Sequence, residues 1–262
     1  MPAGREKRPG MSRLWNPWHG CHRVSEGCRN CYVFRIDGGH GMDAGEVRIN
    51  GDFLLPLRQT RNGEWKIEPG ETLYTCFSSD FLIPDADAWR PDVWQMMRTR
   101  QDLHFVFFTK RIERLEAVLP PDWGDGYPNV TVGCTCENQE RADFRLPIFL
   151  RLPIRNRMIV CEPLLGAIEL RRYLEGGLVR EVTVGGESGR EARACDFAWV
   201  ETLFAACREY GVHFSYHQTG ACLKKDGKCY RIPRSEQHAQ AGRAERLLYK
   251  NECKSEGSYD CP

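Results

Sequence analysis

The sequence predicts an α/β protein in which parallel strands alternate with helices. The first observation is a succession of short apolar runs, each followed by a helical pattern, that begins at Thr72 and ends near residue 220. The second is that every predicted strand stops at polar or glycine residues. The third is the length of 262 residues, which suits one domain of barrel or doubly wound size with an appendage. The pattern fits a sheet that is either open or closed into a barrel.

Six strands and five helices are predicted from their composition and periodicity. The strands are expected at residues 73–77, 104–108, 130–135, 158–161, 182–184 and 212–216. The helices are expected at residues 89–100, 112–119, 139–150, 197–210 and 235–249.

Two segments lie outside the alternating pattern. Residues 38–71 are rich in glycine and charge, which predicts an insertion with short strands, and a lid is one interpretation of it. Residues 221–262 form a basic, cysteine-containing C-terminal extension. We therefore divide the chain into a barrel-like domain over residues 12–220 and this extension, and we expect residues 1–11 to be a frayed tail.

Charge and cysteine usage restrict the class of protein. The 37 basic and 36 acidic residues leave a net charge of +1, so a local basic groove is compatible with the composition but a global attraction to nucleic acid is not expected. No apolar run is long enough to span a bilayer, and no secretory signal is visible. Thirteen cysteines in such a chain indicate reduced thiols and metal chemistry in the cytoplasm rather than a disulfide framework.

Polar or glycine residues follow each predicted strand. The carboxyl ends of parallel strands meet on one side of a barrel or sheet, and ligands bind there. Capping or turn chemistry explains any single one of these residues about as well as ligand binding does, but six such strand ends together indicate a binding rim. The residues are Ser78, Ser79 and Asp80; Thr109, Lys110 and Arg111; Glu137, Asn138 and Gln139; Glu162; Gly185, Gly186 and Glu187; and His217 and Gln218.

The most specific chemical feature is a loop that carries Cys21, Cys28 and Cys31 in the spacing C-x6-C-x2-C. A structural zinc ion would need a fourth ligand beside these thiolates. The nearby candidates are His19, His22 and His40. A four-iron cluster held by three cysteines would instead keep one iron free for another ligand. Spacing alone leaves both centres open, while the barrel pattern and the polar rim favour iron–sulfur.

A wider set of motifs supports a family resemblance. The segment Gly27-Cys28-Arg29-Asn30-Cys31-Tyr32 is similar to the end of the cluster loop in radical SAM enzymes, including spore photoproduct lyase. In order along residues 12–220, the motifs resemble an uncharacterised three-cysteine family of bacteriophages and bacteria that is regarded as radical-SAM-like. Standard radical SAM loops have the spacing C-x3-C-x2-C, so the first gap here is longer. The motifs are Trp15-Asn16-Pro17, Gly20-Cys21, Gly27-Cys28, Cys31-Tyr32, Ser78-Ser79-Asp80, Thr109-Lys110-Arg111, Glu137-Asn138-Gln139, Cys161-Glu162-Pro163-Leu164-Leu165-Gly166 and Gly185-Gly186-Glu187-Ser188-Gly189.

The resemblance implies a partial (β/α), TIM-like barrel of the radical SAM type. It implies that Cys21, Cys28 and Cys31 ligate a [4Fe–4S] cluster whose open iron binds S-adenosylmethionine (SAM). Reductive cleavage of SAM would then release a 5′-deoxyadenosyl radical that abstracts hydrogen from a substrate.

By position, the strand ends divide into two roles under this resemblance. We expect cofactor contacts at Ser78, Ser79, Asp80, Gly185, Gly186 and Glu187, with the first three holding the methionyl amine. We expect Glu137, Glu162 and Lys110 to be the catalytic or substrate-binding residues, with Lys110 and Arg111 able to pair with a carboxylate or phosphate. The family often has lysine at the position of His217, so that residue receives no role.

The expected partners follow from the same resemblance. SAM is the expected small molecule, an electron donor such as flavodoxin or ferredoxin is expected to reduce the cluster, and no membrane is expected. A nucleobase or nucleic acid is the substrate that analogy with a DNA-lesion enzyme favours, while a metabolite or peptide fits the near-neutral charge equally well.

The alternative is a non-enzymatic, zinc-stabilised α/β protein that binds nucleic acid. A basic C-terminal stretch around Tyr230 suits a phosphate backbone, although a solvated surface is the commoner outcome for such a run. The late cysteines are irregularly spaced, so incidental thiols are favoured over a second metal centre. They are Cys222, Cys229, Cys253 and Cys261.

Overall fold

Strands and helices alternate along most of the chain. The computed structural model describes residues 11–255, so the predicted tail lies outside the described residues apart from Met11. The first part contains β1 (Ser12–Trp15), β2 (Trp18–His19), α1 (Tyr32–Gly39), β3 (Arg48–Ile49), β4 (Thr72–Thr75), α2 (Arg90–Thr99), β5 (His104–Thr109) and β6 (Val130–Thr135). The second part contains α3 (Gln139–Arg151), β7 (Asn156–Cys161), α4 (Arg171–Leu174), β8 (Val179–Gly185), β9 (Cys195–Asp196), α5 (Phe197–Glu209), β10 (His213–Gln218), β11 (Cys222–Lys225), β12 (Lys228–Arg231) and α6 (Gln237–Ser255).

Seven strands form one sheet in the order β1-β4-β5-β6-β7-β8-β10. All neighbours in it are parallel, which confirms the predicted α/β class. The sheet is curled. Tyr74 on β4 and Glu181 on β8 are four strands apart, a path of about 19 Å along a flat sheet, yet the Glu181 carboxylate adds to burial in raising the pKa of Tyr74. The strands therefore form a half-barrel with β1 and β10 at its edges.

The two faces of the half-barrel differ in burial because side chains alternate along each strand. Leu73, Phe105 and Val182 lie on the convex face, where they are fully buried in the core that the helices complete. On the concave face, Gly133 stands beside Phe108 in register. A Cβ on Gly133 would lie 3.0 Å from Phe108 Cε1, so the glycine makes room for the ring.

The insertion at residues 38–71 is held at the edge of the sheet and at the amino ends of the strands. Trp15 Nε1 on β1 donates to the carbonyls of Asp52 (3.1 Å) and Phe53 (3.2 Å). Arg100, which precedes β5, donates to the carbonyl of Ile67 at 2.8 Å. The contacts of residues 52–67 therefore support the sheet edge, while the Cys21 N–H donates to the carbonyl of Ala44 (2.7 Å) and ties the start of the insertion to the cysteine loop.

One expected helix is wrong, and one strand of the main sheet was missed. The helix expected at residues 112–119 is a pair of 3₁₀ turns, Ile112–Arg114 and Glu116–Val118, because buried Ile112 and Leu115 are three residues apart and the chain then reaches two prolines. Strand β1 was not expected, since it is a four-residue edge strand in which Trp15 alone is buried.

The C-terminal extension adds a small second sheet and the last helix. Its hairpin β11–β12 pairs with β9 in the order β12-β11-β9, and α6 packs against β10. In the described part of the chain, no helix has the length and apolar character needed to cross a bilayer.

Candidate functional site

The three cysteines of the loop lie within electrostatic reach of one another at the carboxyl ends of the strands. Cys28 is buried, and Cys21 and Cys31 are partly exposed. Burial raises the pKa of Cys21 to about 12, with a further rise from Asp80 and Cys28 that Arg111 opposes. Burial also raises the pKa of Cys31, and Cys28 adds to that rise. Cys21 and Cys31 therefore both lie within electrostatic reach of Cys28.

Two of the three thiols have a polar partner that favours the ionised form. Arg111 Nη1 is 3.9 Å from Cys21 Sγ. Cys31 is the N-cap residue of α1, where the first backbone amides of the helix lower the pKa of its thiol against the effect of burial. A cation and a helix N-terminus are environments that activate cysteines for metal binding. Ser25 Oγ lies 3.8 Å from Cys28 Sγ but donates its proton to Glu137.

Glu137, which follows β6, clamps the cysteine loop to the sheet. Its side chain is fully buried and accepts from Ser25 Oγ (2.5 Å) and Arg145 Nη1 (2.6 Å). Lys110 Nζ is 3.9 Å from the same carboxylate. Gly27 fits against it without a side chain, since a Cβ there would lie 2.5 Å from Glu137 Cγ. Glu137 and Lys110 thus lie together beside the loop, and the carboxylate is committed to holding it; the catalytic role expected of the two residues stays a prediction.

The next residue along the rim makes a second clamp. Asn138 caps α3 by accepting from the backbone N–H of Arg141 (3.0 Å), and its side-chain amide donates to Glu26 in the cysteine loop (2.5 Å). Arg141 also pairs with Glu26 at 2.9 Å. Burial opposes ionisation of Glu26, but these donors outweigh it and lower its pKa. The start of α3 is therefore fastened to the loop.

Ser78 and Ser79, expected to contact the cofactor, support the segment that leads into Cys21. Ser78 Oγ donates to the carbonyl of Trp18 (3.3 Å), and Ser79 Oγ donates to the carbonyl of Gly20 (2.5 Å). Hydroxyl oxygens that donate in this way still have lone pairs that can accept from an ammonium group. The expected contact with the methionyl amine stays a prediction.

Asp80 is the hub of a buried network rather than a free carboxylate. It accepts from Thr109 Oγ1 (2.7 Å) and from the backbone N–H groups of Lys110 and Leu82, both at 2.9 Å. Arg111 pairs with it at 3.0 Å and donates to the carbonyl of His22 at 2.7 Å. Asp80 thus orients the guanidinium that faces Cys21.

The glycines after β8 allow close packing at the rim. A Cβ on Gly186 would lie 2.7 Å from the carbonyl carbon of Thr219, and one on Gly185 would lie 2.5 Å from Glu162 Cδ. Both positions therefore need glycine because backbone or a carboxylate occupies the adjoining space.

Glu187 ties the far side of the loop to the sheet. It accepts from Arg193 (Nε at 3.0 Å) and from Asn30 Nδ2 (2.9 Å), which lies between the last two cysteines. Burial opposes its ionisation, but the Arg193 and Asn30 donors outweigh that effect and lower the pKa of Glu187.

Glu162 pairs with a histidine that the sequence left without a role. His217 Nδ1 lies 2.8 Å from Glu162 Oε2, and Gln218 Nε2 donates to the other carboxylate oxygen. Tyr32, which follows Cys31 in the chain, lies within electrostatic reach of Glu162. Burial raises the pKa of Tyr32, and the charges of Cys31 and Glu162 raise it further.

Two of the three candidate fourth ligands for zinc have other partners. His19 Nε2 is 2.7 Å from Asp37, and His22 Nε2 is 3.1 Å from Asp85. Within residues 11–255, no three His, Cys, Asp or Glu side chains are arranged to hold a metal ion. Among the late cysteines, Cys222 is buried and Cys229 is exposed on the hairpin. The side chain of Cys253 and all of Cys261 lie outside the described residues.

The donor set has the chemistry of a soft-metal site. Zinc ions and iron–sulfur clusters both take thiolates as ligands. The loop supplies three thiols, with Arg111 beside Cys21 and a helix N-terminus beside Cys31.

The residues that anchor the loop were missed by sequence reasoning. Ser25, Glu26 and Asn30 lie more than 100 positions along the chain from the rim residues that they contact, so no local motif marks these contacts. Asn30, between two cysteines, was the one with a positional signal. The missed residues are Ser25, Glu26, Asn30, Arg141, Arg145 and Arg193.

Comparison with known proteins gives one match. A family model described as a protein of unknown function (DUF5131) matches residues 11–256. No curated protein matches the chain, and no solved structure matches it.

Proposed function

We propose that this chain, which belongs to the DUF5131 family of proteins of unknown function, is a radical SAM enzyme. One observation carries the proposal, namely that a loop with three thiols is fastened to the carboxyl rim of a parallel half-barrel from three strand ends. The fastening contacts are Asp80 through Arg111, Glu137 through Ser25, and Glu187 through Asn30. A purely structural loop does not require buried carboxylates at every second strand of the rim.

In this proposal Cys21, Cys28 and Cys31 hold the [4Fe–4S] cluster. When reduced and bound to SAM, that cluster supplies a 5′-deoxyadenosyl radical for hydrogen abstraction. The chain contributes charge and orientation. Arg111 favours the thiolate at Cys21, and Lys110, whose side chain is one-fifth exposed beside Glu137, remains at the rim to pair with a carboxylate or phosphate.

A planar ring is the substrate that the concave face suits. Tyr74, Phe77 and Phe108 form an aromatic cluster with ring centroids 5.3–6.4 Å apart, and each ring is half-buried. Phe77 lies next to the cysteine loop because its carbonyl accepts from the Tyr32 hydroxyl. Aromatic side chains stack on bases at about 1–3 kcal/mol per base. We therefore favour a nucleobase, free or within a nucleic acid, as in the analogy with a DNA-lesion enzyme.

The exposed hairpin β11–β12 supports the nucleic-acid form of this substrate. Lys225, Lys228 and Arg231 are exposed on it, and the ring of Tyr230 is about half exposed. Cations interleaved with an aromatic ring suit a phosphate backbone and a base.

The test is anaerobic reconstitution with iron, sulfide, SAM and a reductant. We expect a brown protein that releases 5′-deoxyadenosine, with mass spectrometry of host nucleic acid reporting a modified base. Cys28→Ala should lose iron and SAM cleavage, while Cys207→Ala, which removes a buried thiol of α5, should retain both. Undiminished iron and SAM cleavage in Cys28→Ala would refute the proposal.

The zinc-stabilised nucleic-acid-binding protein gives a different result in the same preparation. It would be colourless, with one tightly held zinc ion and no 5′-deoxyadenosine. The exposed basic hairpin is the observation that keeps this second candidate, because it suits binding without catalysis as well.

A further inference from the structure

A glutamate and a histidine meet across a glycine at the end of the half-barrel sheet. Glu162 follows β7 and His217 lies near the end of β10, while β8 runs between these two strands. The strand between them ends at Gly185, where a side chain would occupy the carboxylate position, since a Cβ would lie 2.5 Å from Glu162 Cδ. The missing side chain is what lets residues of two non-adjacent strands come within hydrogen-bond distance.

The contact leaves one imidazole nitrogen for another partner. His217 Nδ1 is 2.8 Å from Glu162 Oε2. In the described part of the chain, Nε2 has no hydrogen-bond partner, and 48% of the His217 side chain is exposed. A carboxylate that accepts from Nδ1–H fixes the tautomer, so Nε2 of the neutral ring is a proton acceptor.

Both members of the pair are held in position by further contacts. Gln218 donates to the second oxygen of Glu162 and accepts from Arg234 Nη1 at 2.5 Å. The ring of His238 packs edge-on against His217 at 4.7 Å, and its Nδ1 is 2.8 Å from the His217 carbonyl. These contacts come from three elements, so the imidazole is oriented and not simply a surface side chain.

The charges around the pair favour the protonated imidazole. The hydrogen bond to Glu162 raises the pKa of His217, against the opposing effects of burial and of Arg234. The groups that face His217 are thus Glu162 from β7, Arg234 and His238 from the extension, and its neighbour Gln218. A histidine with a fixed carboxylate partner can take a proton from a substrate and return it.

The pair belongs to the same rim as the cysteine loop. Tyr32, next to Cys31, is close enough to Glu162 for that carboxylate to contribute to its raised pKa, after burial and Cys31.

We propose that His217 is a general acid–base residue of this site, with Glu162 as its positioning residue, and that it exchanges a proton with a ring N–H or hydroxyl of the substrate. The substrate N–H or O–H bond breaks as the Nε2–H bond forms, and Glu162 stabilises the resulting imidazolium through Nδ1–H. The proton returns to solvent over the exposed edge of the ring, so the step needs no oxidant or reductant. The inference rests on the proposed function and adds proton transfer to it.

The first test uses the full-length chain without cluster. Imidazole titration by NMR should place the pKa of His217 above the ordinary value of about 6.5 and Glu162→Gln should lower it. The matched control is Glu181→Gln. It removes the carboxylate that lies 3.9 Å from His213, which is on the same strand as His217, and it should leave the pKa of His217 unchanged. An unchanged titration in Glu162→Gln would overturn the assignment of Glu162.

The second test uses the reconstituted chain with SAM, reductant and host nucleic acid. His217→Gln should lower product formed per 5′-deoxyadenosine released by about 10²-fold or more, and Glu162→Gln should shift the pH limb of product formation downward. His213→Gln should stay within twofold of the wild type. Product formation within twofold of wild type in His217→Gln would overturn the acid–base role. Absence of 5′-deoxyadenosine in the wild type would instead refute the proposed function, while the titration would still decide whether the pair exists.

Discussion

The replacement Gly27→Ala tests how the cysteine loop is held. The new Cβ would lie 2.5 Å from Glu137 Cγ and 2.8 Å from Cδ. The first distance is about 0.9 Å shorter than the 3.4 Å at which ordinary van der Waals contact begins. Glu137 cannot withdraw easily because Arg145 and Ser25 hold its two oxygens at 2.6 and 2.5 Å in a fully buried site. The loop must therefore move outward, and overpacking of this kind costs about 1–3 kcal/mol.

The assay is urea unfolding followed by circular dichroism, together with the iron content after reconstitution. We expect Gly27→Ala to lower the free energy of unfolding by about 1–3 kcal/mol and to reduce iron loading, because Cys28 is the next residue. The control is Gly38→Ala in α1, where nothing lies within 4 Å of the new methyl group. This change should be neutral or stabilising by up to about 1 kcal/mol.

A double-mutant cycle identifies the cause of the loss. The three atoms nearest to the new Cβ all belong to the Glu137 side chain, so Gly27→Ala should cost little in a Glu137→Ala background. A free energy of unfolding for Gly27→Ala equal to that of Gly38→Ala would contradict the predicted clash with Glu137. An equal loss from Gly27→Ala in the wild-type and Glu137→Ala backgrounds would contradict it as well.

Two further replacements test the other clamps of the rim. Glu187→Gln should destabilise the fold by about 1.5–3 kcal/mol at neutral pH. Arg193 lowers the pKa of Glu187 in the folded protein, so the stability difference should be fully present above the pKa of the unfolded state and should vanish as the pH falls through the folded-state pKa. The measurement is the urea midpoint of both proteins from pH 7 to 3. A difference that stays constant over this range would contradict the prediction. Gly186→Ala should cost about 1–3 kcal/mol in thermal unfolding, because its Cβ would lie 2.7 Å from the backbone of Thr219. Gly176→Ala, with its nearest neighbour atom at 3.8 Å, is the control and should not share that loss.

Local patterns in the chain were sufficient to locate most of the fold. Strands β4 to β8 and β10 stand within a few residues of the predicted runs, because parallel strands buried on one or both faces are continuous apolar segments. The cysteine loop and the polar strand ends are likewise contiguous in sequence. Strand β1 was missed since an exposed edge strand has little apolar signal.

The sequence by itself determined the α/β class, the three-cysteine loop and the rim on which it lies. The tertiary structure decided which rim groups are free and which are committed. The sequence predicts cofactor contacts at Asp80 and Glu187 and a catalytic or substrate-binding role at Glu137, yet each is bound to an arginine that sequence spacing did not identify as its partner. The pairing of Glu162 with His217 depends on the curl of the sheet and on a missing side chain at Gly185. Such contacts join residues up to 157 positions apart, and the free energy of a buried ion pair depends on geometry that only the folded chain creates.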